Sequence, residues 1–342
     1  MKALRIHGYG GPEVLRYEDA PDPEPGHGEV IIRVRACGMN HLDLDLRDGS
    51  SRIPLELPFI PGLEPAGEVE ALGPGVSGVK VGDRVAPTFY YVCGHCPQCK
   101  AGRENLCANN QMFGVTRPGG YAERVVAPAS TLLKLADHVS FDQAAATQVA
   151  FGTAFHMLIG RAKAQAGETV LVQAAGSGIG SAAVQIASQL GLRIIATAGS
   201  QAKLEQALAM GAQHAINYRD EAFLPRVMEI TAGKGVDIVF EHVGGEVFTN
   251  SVAALAIGGR LVTCGAHGGE VTSIDIIELF RKEASVLGSY TTSMLELRQV
   301  MLLVELGKLK PVIHRALPLA EGAQAHKILA NREHFGKVVL NP

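Results

Sequence analysis

Short apolar runs alternate with helical runs along residues 168–289, and this alternation constrains the fold of the 342-residue chain most. The pattern predicts helices at Ser181–Leu190 and at Gln201–Met210, with Gly211 ending the second. Strands that alternate with helices of this length form a parallel sheet covered on both faces. We therefore expect a doubly wound α/β domain. Its predicted strands are Thr169–Val172, Arg193–Ala198, Val236–Phe240, Arg260–Cys264 and Ser285–Gly288.

The first 150 residues follow a different pattern. Glu29–Arg35 alternates polar and apolar side chains, which is typical of a strand with one buried face. Glycines interrupt further short runs at Gly67–Leu72 and Gly82–Ala86, so this part is predicted to be mostly β. The remaining predicted elements are the helices Met294–Gly307 and Ala320–Ala330 and the final strand Lys337–Leu340.

Composition and charge exclude several function classes. Hydrophobic residues make up 47% of the chain and charged residues 19%, which excludes a mainly disordered protein. The net charge of −3 provides no bulk positive charge for nucleic acid or an anionic membrane. Val170–Ala198, the most apolar stretch, is interrupted by polar residues, and the N-terminus lacks the apolar core of a signal peptide. We expect a cytoplasmic protein.

Four of the six cysteines, Cys93, Cys96, Cys99 and Cys107, lie within fifteen positions. Thiolates with this spacing can complete a tetrahedral shell that leaves no open position, so we predict one structural zinc per chain. A disulfide pair is the alternative, but a reducing cytosol disfavours it. A ferredoxin-type cluster prefers a shorter last gap that ends in Cys-Pro, whereas Ala108 follows Cys107.

Two residues near this pattern are given no ligand role. His95 lies inside the loop but is not needed to complete the shell, so we expect it to face solvent. Cys264 ends a predicted core strand, so we interpret it as a small buried hydrophobe.

A glycine-rich turn at residues 174–180 follows one predicted strand and opens a helix. At such a position the pyrophosphate of a dinucleotide rests on the helix N-terminus. The match to G-x-G-x-x-G is imperfect, and close packing alone would also favour glycine here. The predicted contacts are Ala175, Gly176, Ser177, Gly178, Ile179 and Gly180.

The strand after this turn ends without the carboxylate that holds the adenosine ribose of NAD. Ser200 and Lys203 follow it, and Tyr218 follows the third strand. A hydroxyl and a cation in place of the acid favour a 2′-phosphate, so we predict NADP(H). Lys203 is alternatively a surface residue of its helix. Val243, Gly265 and Lys337 complete the predicted coenzyme contacts.

Together these residues resemble the medium-chain dehydrogenase/reductase superfamily, which includes zinc alcohol dehydrogenases and quinone oxidoreductases. The resemblance implies a GroES-like β-rich catalytic domain over 1–150, with a structural-zinc lobe at 93–107. It further implies a Rossmann domain over 151–289, a return of 290–342 to the catalytic domain, and an active-site cleft between the domains. Family members form homodimers or homotetramers. The motifs are Gly11-Pro-Glu-Val-Leu15, the four-cysteine loop, Gly119-Gly-Tyr-Ala-Glu123, the dinucleotide turn through Gln185, and Phe335-Gly-Lys-Val-Val-Leu340.

The chain departs from the zinc alcohol dehydrogenases at every catalytic zinc ligand. Asn40, Leu63 and Val149 stand at the ligand positions, and Leu42 replaces the hydroxyl residue of the proton relay. Cys37 lies three residues before the first ligand position. Gly38-Met-Asn40, with Asp43 and Arg47-Asp-Gly49, instead resembles the zinc-independent quinone oxidoreductases, although many of these lack the four-cysteine loop.

The leading hypothesis is an NADPH-dependent reductase that transfers hydride to the carbonyl, quinone or conjugated enone of a small substrate. Hydrogen-bond donors must then meet the charge on the substrate oxygen, and Asn40 is the first candidate, although it could instead orient a loop. Asp43 is expected to anchor a neighbouring His or Arg, and Thr153 to lie near the nicotinamide.

Two other functions remain open. A zinc-type alcohol dehydrogenase could bind metal through the unusual set Cys37, His41 and Glu64, and a non-enzymatic nucleotide-binding protein could use the same fold. Four residues are possible substrate contacts, although a solvated helix face would explain Arg47 and ordinary packing would explain the tyrosines. These four are Arg47, Tyr90, Tyr91 and His41.

Overall fold

The computed structural model describes all 342 residues and divides them into two compact units. The first unit comprises Met1–Val149 and Ser293–Pro342, and the second comprises Ala150–Thr292. None of the helices combines the length and the apolar character that a membrane span requires.

The strands are β1 Lys2–Ile6, β2 Leu15–Asp19, β3 Glu29–Gly38, β4 Glu64–Leu72, β5 Arg84–Pro87, β6 Tyr90–Tyr91, β7 Gln111–Met112, β8 Arg124–Pro128, β9 Leu132–Lys134, β10 Thr169–Val172, β11 Arg193–Ala198, β12 His214–Asn217, β13 Val236–Glu241, β14 Leu255–Thr263, β15 Ser285–Gly288, β16 Ile313–Pro318 and β17 Lys337–Asn341. The helices are α1 His41–Asp48, α2 Pro97–Lys100, α3 Phe141–Ala145, α4 Gln148–Phe155, α5 Gly178–Gln189, α6 Gln201–Ala209, α7 Phe223–Ile230, α8 Gly245–Ala253, α9 Ile276–Arg281, α10 Met294–Glu305 and α11 Gly322–Ala330.

The second unit contains a six-stranded parallel sheet in the order β12-β11-β10-β13-β14-β15. Val170, Leu171 and Val172 of β10 are completely buried, as in a strand covered on both faces. The predicted α/β class and the parallel sheet are confirmed. Because the strand order reverses at β10, the loop that follows β10 lies at the topological switch point, where ligands bind in such sheets.

Two differences from the sequence expectation concern residues near the predicted coenzyme contacts. Helix α5 begins at Gly178 rather than Ser181, because Ser177 caps it and its Oγ accepts the Gly180 N–H at 2.9 Å. The prediction that Cys264 belongs to a core strand is wrong. Pairing of β14 with β15 ends at Thr263, so Cys264 lies half-buried in the loop beyond the sheet.

The first unit is built on a seven-stranded sheet in the order β16-β17-β3-β4-β5-β9, with β8 also paired to β3. The long strand β3 lies between β17 and β4. At its carboxyl end, Gly38 pairs with Val339 on one side and with Glu64 on the other. This register brings the start of β17, the start of β4 and the residues after β3 together.

Each unit has its own apolar core. In the first unit the core forms around β3 and includes Val30, Ile32 and Val34. In the second unit it includes Leu171 of β10 and Val239 of β13. The residues after β3 and the turn after β10 are therefore each supported by a separate packed scaffold.

Candidate active site

Three residues from separate segments of the first unit form a buried polar cluster. Lys337 Nζ donates to Glu64 Oε2 at 2.5 Å and to Asn40 Oδ1 at 2.8 Å. Asn40 Nδ2 donates to the same Glu64 oxygen at 2.8 Å. Glu64 is fully buried and Lys337 is only 4% exposed, so this is a buried ion pair with an amide bridging its two charges.

The chemistry of the partners fixes the orientation of the Asn40 amide. An ammonium group only donates hydrogen bonds and a carboxylate only accepts them, so Oδ1 must face Lys337 and Nδ2 must face Glu64. Nδ2 carries two hydrogens, and the bond to Glu64 uses one. The other hydrogen remains for an acceptor outside the cluster, and Asn40 itself is only half-buried.

The positions that hold catalytic zinc in the alcohol dehydrogenases lie around this cluster. Leu63 packs in an apolar cluster, and the Val149 backbone N–H donates to Glu64 Oε1 at 2.6 Å. The unusual ligand set of Cys37, His41 and Glu64 does not come together as a group of metal ligands. Cys37 is completely buried, and its pKa is raised well above the usual value by that burial.

Asp43 anchors the backbone of Asn40. Its Oδ2 accepts the Asn40 N–H at 2.7 Å, and the side chain is completely buried. The expectation that Asp43 would hold a His or an Arg is wrong, because this carboxylate, in the first turn of α1, turns back to the N-cap residue Asn40. Burial raises the pKa of Asp43 to about 7, against the lowering effects of the Asn40 N–H and the Lys337 charge.

Arg47 is buried rather than solvated, so the explanation by a solvated helix face is wrong, and its possible contact with substrate stays a prediction. It is 6% exposed, its Nε donates to the Gly10 carbonyl at 3.1 Å, and its Nη1 lies 3.3 Å from Nδ1 of His326. Helix α11 supplies His326 and covers this part of α1. Burial, with the neighbouring Arg47 charge, lowers the pKa of His326 to about 3, which keeps the ring neutral.

Packing explains two of the other possible substrate contacts, and the third, His41, stays a prediction. Tyr90 and Tyr91 are buried and pack edge-on against Phe89 and Phe113, with ring centroids 5.0 Å and 4.9 Å apart. Ordinary packing therefore explains both tyrosines. His41 begins α1 and lies 3.7 Å from Asp45.

The four clustered cysteines fit a tetrahedral zinc site. Sγ of Cys96 lies 3.5 Å from that of Cys99, and Sγ of Cys107 lies 3.6 Å from that of Cys93. A tetrahedron with Zn–S bonds of about 2.3 Å has edges of about 3.8 Å, so these thiols need little movement to share one ion. His95 is exposed, as expected, and its Nδ1 lies 2.7 Å from the Cys93 carbonyl oxygen.

The glycine-rich turn has the shape of a pyrophosphate cradle. Gly178 and Ile179 form the first turn of α5, where backbone N–H groups have no acceptor within the helix. A methyl group on Gly180 would lie 2.3 Å from the Ala174 carbonyl oxygen, and one on Gly176 would lie 2.7 Å from Cδ of Lys203. Gly180 therefore requires glycine because its neighbour is backbone, whereas the flexible Lys203 side chain could move away from a methyl group on Gly176.

The three residues predicted to hold the 2′-phosphate lie beside this turn. The side chain of Lys203 runs against Gly176, and the Tyr218 hydroxyl lies over Gly199, where a methyl group would be 2.6 Å from it. Ser200 is the N-cap residue of α6 and directly follows Gly199. The structure thus gathers a cation and two hydroxyls at the end of β11.

The carboxyl ends of β13 and β14 carry Val243 and Gly265, together with a buried acid that the sequence analysis missed. Glu241 Oε1 accepts the N–H groups of Val243 and Gly244 at 2.6 and 2.8 Å, and its Oε2 accepts the Thr263 hydroxyl at 3.0 Å. Glu241 thereby fixes the loop that carries Val243. The sequence contained a signal for this role, because Glu241 directly follows the predicted apolar strand and precedes two glycines.

The predicted residues therefore fall into three groups. Asn40, Asp43 and Lys337 lie together with Glu64, which had been considered only as a metal ligand. The cysteines form the second group, and the residues around the α5 turn form the third. Thr153 belongs to none of these groups; it lies on α4 and is 7% exposed.

Comparison with known proteins covers both units. Residues 26–137 match the family model described as alcohol dehydrogenase GroES-like domain, and residues 178–305 match the model described as zinc-binding dehydrogenase. Human quinone oxidoreductase is 34% identical over 99% of this chain and 97% of its own length. Pseudomonas aeruginosa quinone oxidoreductase is 35% identical over 100% of this chain and 99% of its own.

A solved structure of an NAD-dependent alcohol dehydrogenase is also similar, with 42% identity, a TM-score of 0.96 and coverage of 100% of both chains. Family models and full-length relatives thus agree on one assignment. The chain belongs to the medium-chain dehydrogenase/reductase family of NAD(P)-binding oxidoreductases, and it is related to both its quinone oxidoreductases and its alcohol dehydrogenases.

Proposed function

We propose that this protein is an NADPH-dependent reductase that transfers hydride to a carbonyl, a quinone or a conjugated enone of a small molecule without a catalytic zinc. NADPH supplies the hydride, with its two electrons, to the electrophilic carbon and becomes NADP⁺, and water supplies the proton that completes the reduction. The observation that carries the proposal is the Asn40–Lys337–Glu64 cluster, in which Asn40 stands at the first catalytic ligand position and binds a buried ion pair.

The donor set of this cluster does not suit Zn²⁺. Zinc sites in proteins are built from thiolate, imidazole and carboxylate ligands. Here Leu63 and Val149 offer no ligand atom, and the amide oxygen of Asn40 already accepts from Lys337. Glu64 accepts from Lys337, Asn40 and Val149, so a metal would have to displace these hydrogen bonds and approach an ammonium group.

Asn40 is the proposed hydrogen-bond donor to the substrate oxygen. As hydride reaches the carbon, negative charge develops on this oxygen, and the remaining Nδ2 hydrogen of Asn40 can stabilise it. Donors of this kind contribute roughly 10²- to 10³-fold to kcat when fixed in advance. Asp43 supports the donor by holding the Asn40 backbone.

The proposed preference for NADP(H) is supported by the residues around β11. The strand ends without a carboxylate, and Ser200, Lys203 and Tyr218 lie beside the glycine turn instead. A phosphate bound there would meet a cation and hydroxyl donors, whereas a ribose hydroxyl would lack its usual acidic partner.

The remaining family expectations are also proposed. The four cysteines would bind one structural zinc per chain. We propose a homodimer or homotetramer, and the edge strand β15 and neighbouring α9 support this because Val286 and Phe280 expose 38% and 63% of their surface. An alcohol dehydrogenase activity is the second candidate, favoured by the 42% identity with the NAD-dependent enzyme.

The experiment is coenzyme oxidation by the purified protein against a panel of aldehydes, ketones, quinones and enones, with NADPH and NADH compared. We expect NADPH to be preferred, and Lys203→Ala to weaken NADPH binding by about 10-fold or more through the loss of a charge-assisted hydrogen bond. Lys234→Ala, at an exposed lysine of the same unit, is the matched control.

Four outcomes would contradict the proposal. Equal affinity for NADH, or an unchanged NADPH affinity in Lys203→Ala, would overturn the coenzyme preference. Oxidation of alcohols with no reduction of any quinone or enone would favour the alcohol dehydrogenase. NADPH binding without oxidation by any panel member would favour a non-enzymatic nucleotide-binding role.

A further inference from the structure

We propose that Lys337 and Glu64 are positioning residues that fix the Asn40 amide, so that its remaining N–H faces the substrate oxygen. This inference rests on the proposed donor role of Asn40. It gives Lys337 a different task from the coenzyme contact predicted from the sequence, since the ammonium group already binds Asn40 and Glu64.

The three groups form a closed triangle of hydrogen bonds. Glu64 Oε2 accepts from both Lys337 and Asn40, and Asn40 Oδ1 accepts from Lys337. Rotating the amide by about 180° would set NH₂ against the ammonium and a carbonyl oxygen against the carboxylate, so both contacts would become repulsive. Only one amide orientation satisfies this cluster.

Both charged groups are needed for this selection. Without Glu64, Lys337 would still attract Oδ1, but Nδ2 would have no acceptor. Without Lys337, Glu64 would be a buried carboxylate that lacks a counter-charge. The Val149 N–H on Glu64 Oε1 holds the carboxylate in register with the amide. A cation on Oδ1 also polarises the amide, which strengthens its N–H groups as donors.

The triangle is built by long-range topology. Lys337 begins β17, Glu64 begins β4, and Asn40 follows β3, which lies between those strands. Lys337 is 297 residues from Asn40 and 273 from Glu64 in the chain. The sheet therefore sets the geometry of the donor.

Positioning and coenzyme binding predict different kinetic defects. If Lys337 orients Asn40, its loss lowers kcat at saturating coenzyme and leaves NADPH affinity unchanged. If Lys337 contacts the coenzyme, its loss raises the Kd for NADPH and leaves kcat at saturation nearly unchanged. The two assignments can thus be separated in one protein.

The test compares Lys337→Met, Lys337→Arg and the charge-neutral double variant Lys337→Met/Glu64→Gln with wild type. The double variant removes both charges, so its behaviour does not depend on tolerating an unpaired buried carboxylate. Lys327→Met, at an exposed lysine on α11, is the matched control. NADPH affinity is measured by titration of the free protein, and kcat with the best substrate of the panel.

A spectroscopic readout reports on the amide itself. The chain has eight asparagines, so ¹⁵N-asparagine labelling gives few side-chain signals, and Asn40→Ser assigns the one of interest. In wild type the two Nδ2 protons should have separate shifts that differ from those of an exposed amide. We expect Lys337→Met and the double variant to lose this signature and Lys337→Arg to keep it.

We expect both methionine variants to lower kcat by about 100-fold, as misplacing a reacting group by about 1 Å does, with NADPH Kd unchanged. Lys337→Arg should retain most of the rate. A raised NADPH Kd with normal kcat, or an unmoved Asn40 signal in Lys337→Met, would overturn the inference. If wild type reduces no substrate, the proposed function fails, and the amide signal still decides the positioning role.

Discussion

Replacing Asp43 with asparagine should change how the stability of the protein depends on pH. Burial raises the pKa of Asp43 from 3.8 to about 7. Between these two values the native state keeps a proton that the unfolded chain has released, so the free energy of unfolding falls as pH rises. The asparagine side chain would be neutral at every pH, would have nearly the same shape, and could still accept the Asn40 N–H.

The magnitude follows from the two pKa values. Stability changes by about 1.4 kcal/mol per pH unit while the unfolded state alone is ionised. The free energy of unfolding of the wild type should fall by about 2.5 kcal/mol between about pH 5 and pH 8, and this fall levels off above about pH 7. Asp43→Asn should not show this fall. Relative to wild type, the variant should therefore gain this amount as pH rises over that interval.

Urea unfolding at pH 5, 6, 7 and 8 measures this difference. Tyrosine fluorescence is the appropriate signal, because five of the seven tyrosines belong to the unit that contains Asp43; these are Tyr9, Tyr17, Tyr90, Tyr91 and Tyr121. Asp137→Asn, at an exposed aspartate of the same unit, is the control and should show no such trend. If the gap between wild type and Asp43→Asn stays constant from pH 5 to pH 8, the native carboxyl of Asp43 does not have a raised pKa.

Three further predictions concern local features. Ala174 has a left-handed φ of 48°, which costs an L-residue roughly 1–2 kcal/mol, so Ala174→Gly should raise the thermal midpoint and Ala174→Val should lower it. The Cys99→Ser protein should lose the structural zinc and have a lower thermal midpoint. The Cys264→Ser protein, altered outside the four-cysteine site, should retain that zinc. His326 has a pKa lowered from 6.5 to about 3. Below about pH 6.5 the unfolded chain binds a proton that the native ring does not, so the free energy of unfolding falls as pH falls. His326→Phe should recover about 3 kcal/mol relative to wild type between pH 7 and pH 4, measured by urea unfolding.

Local patterns predicted the doubly wound unit well. Thr169–Val172, Arg193–Ala198 and Ser285–Gly288 have the predicted bounds, because each is a short apolar run next to a glycine or a polar residue. The start of α5 was placed too late because glycine and serine in its first turn hide the helical periodicity. Cap geometry, rather than apolar spacing, sets that boundary.

Long-range contacts explain the residues that sequence reasoning misjudged. Arg47 belongs to a short helix with a polar pattern, and only the packing of His326, 279 residues away, shows that it is buried. Glu64 was considered only as a possible metal ligand. Its role in an ion pair was missed because its partner, Lys337, lies far away in the chain. Cys264 was misjudged because the end of a strand depends on its neighbour in the sheet, and β15 pairs no further than Gly288.

Reduction without a catalytic zinc is tested by measuring zinc content and activity on the same sample. The four thiols would hold one zinc, whereas Asn40, Leu63 and Val149 offer no second site. After mild chelation that removes loosely held metal, we expect one zinc per chain and undiminished NADPH-dependent reduction. Two zinc equivalents per chain, with activity lost on removal of one and restored by adding Zn²⁺, would contradict a zinc-independent mechanism.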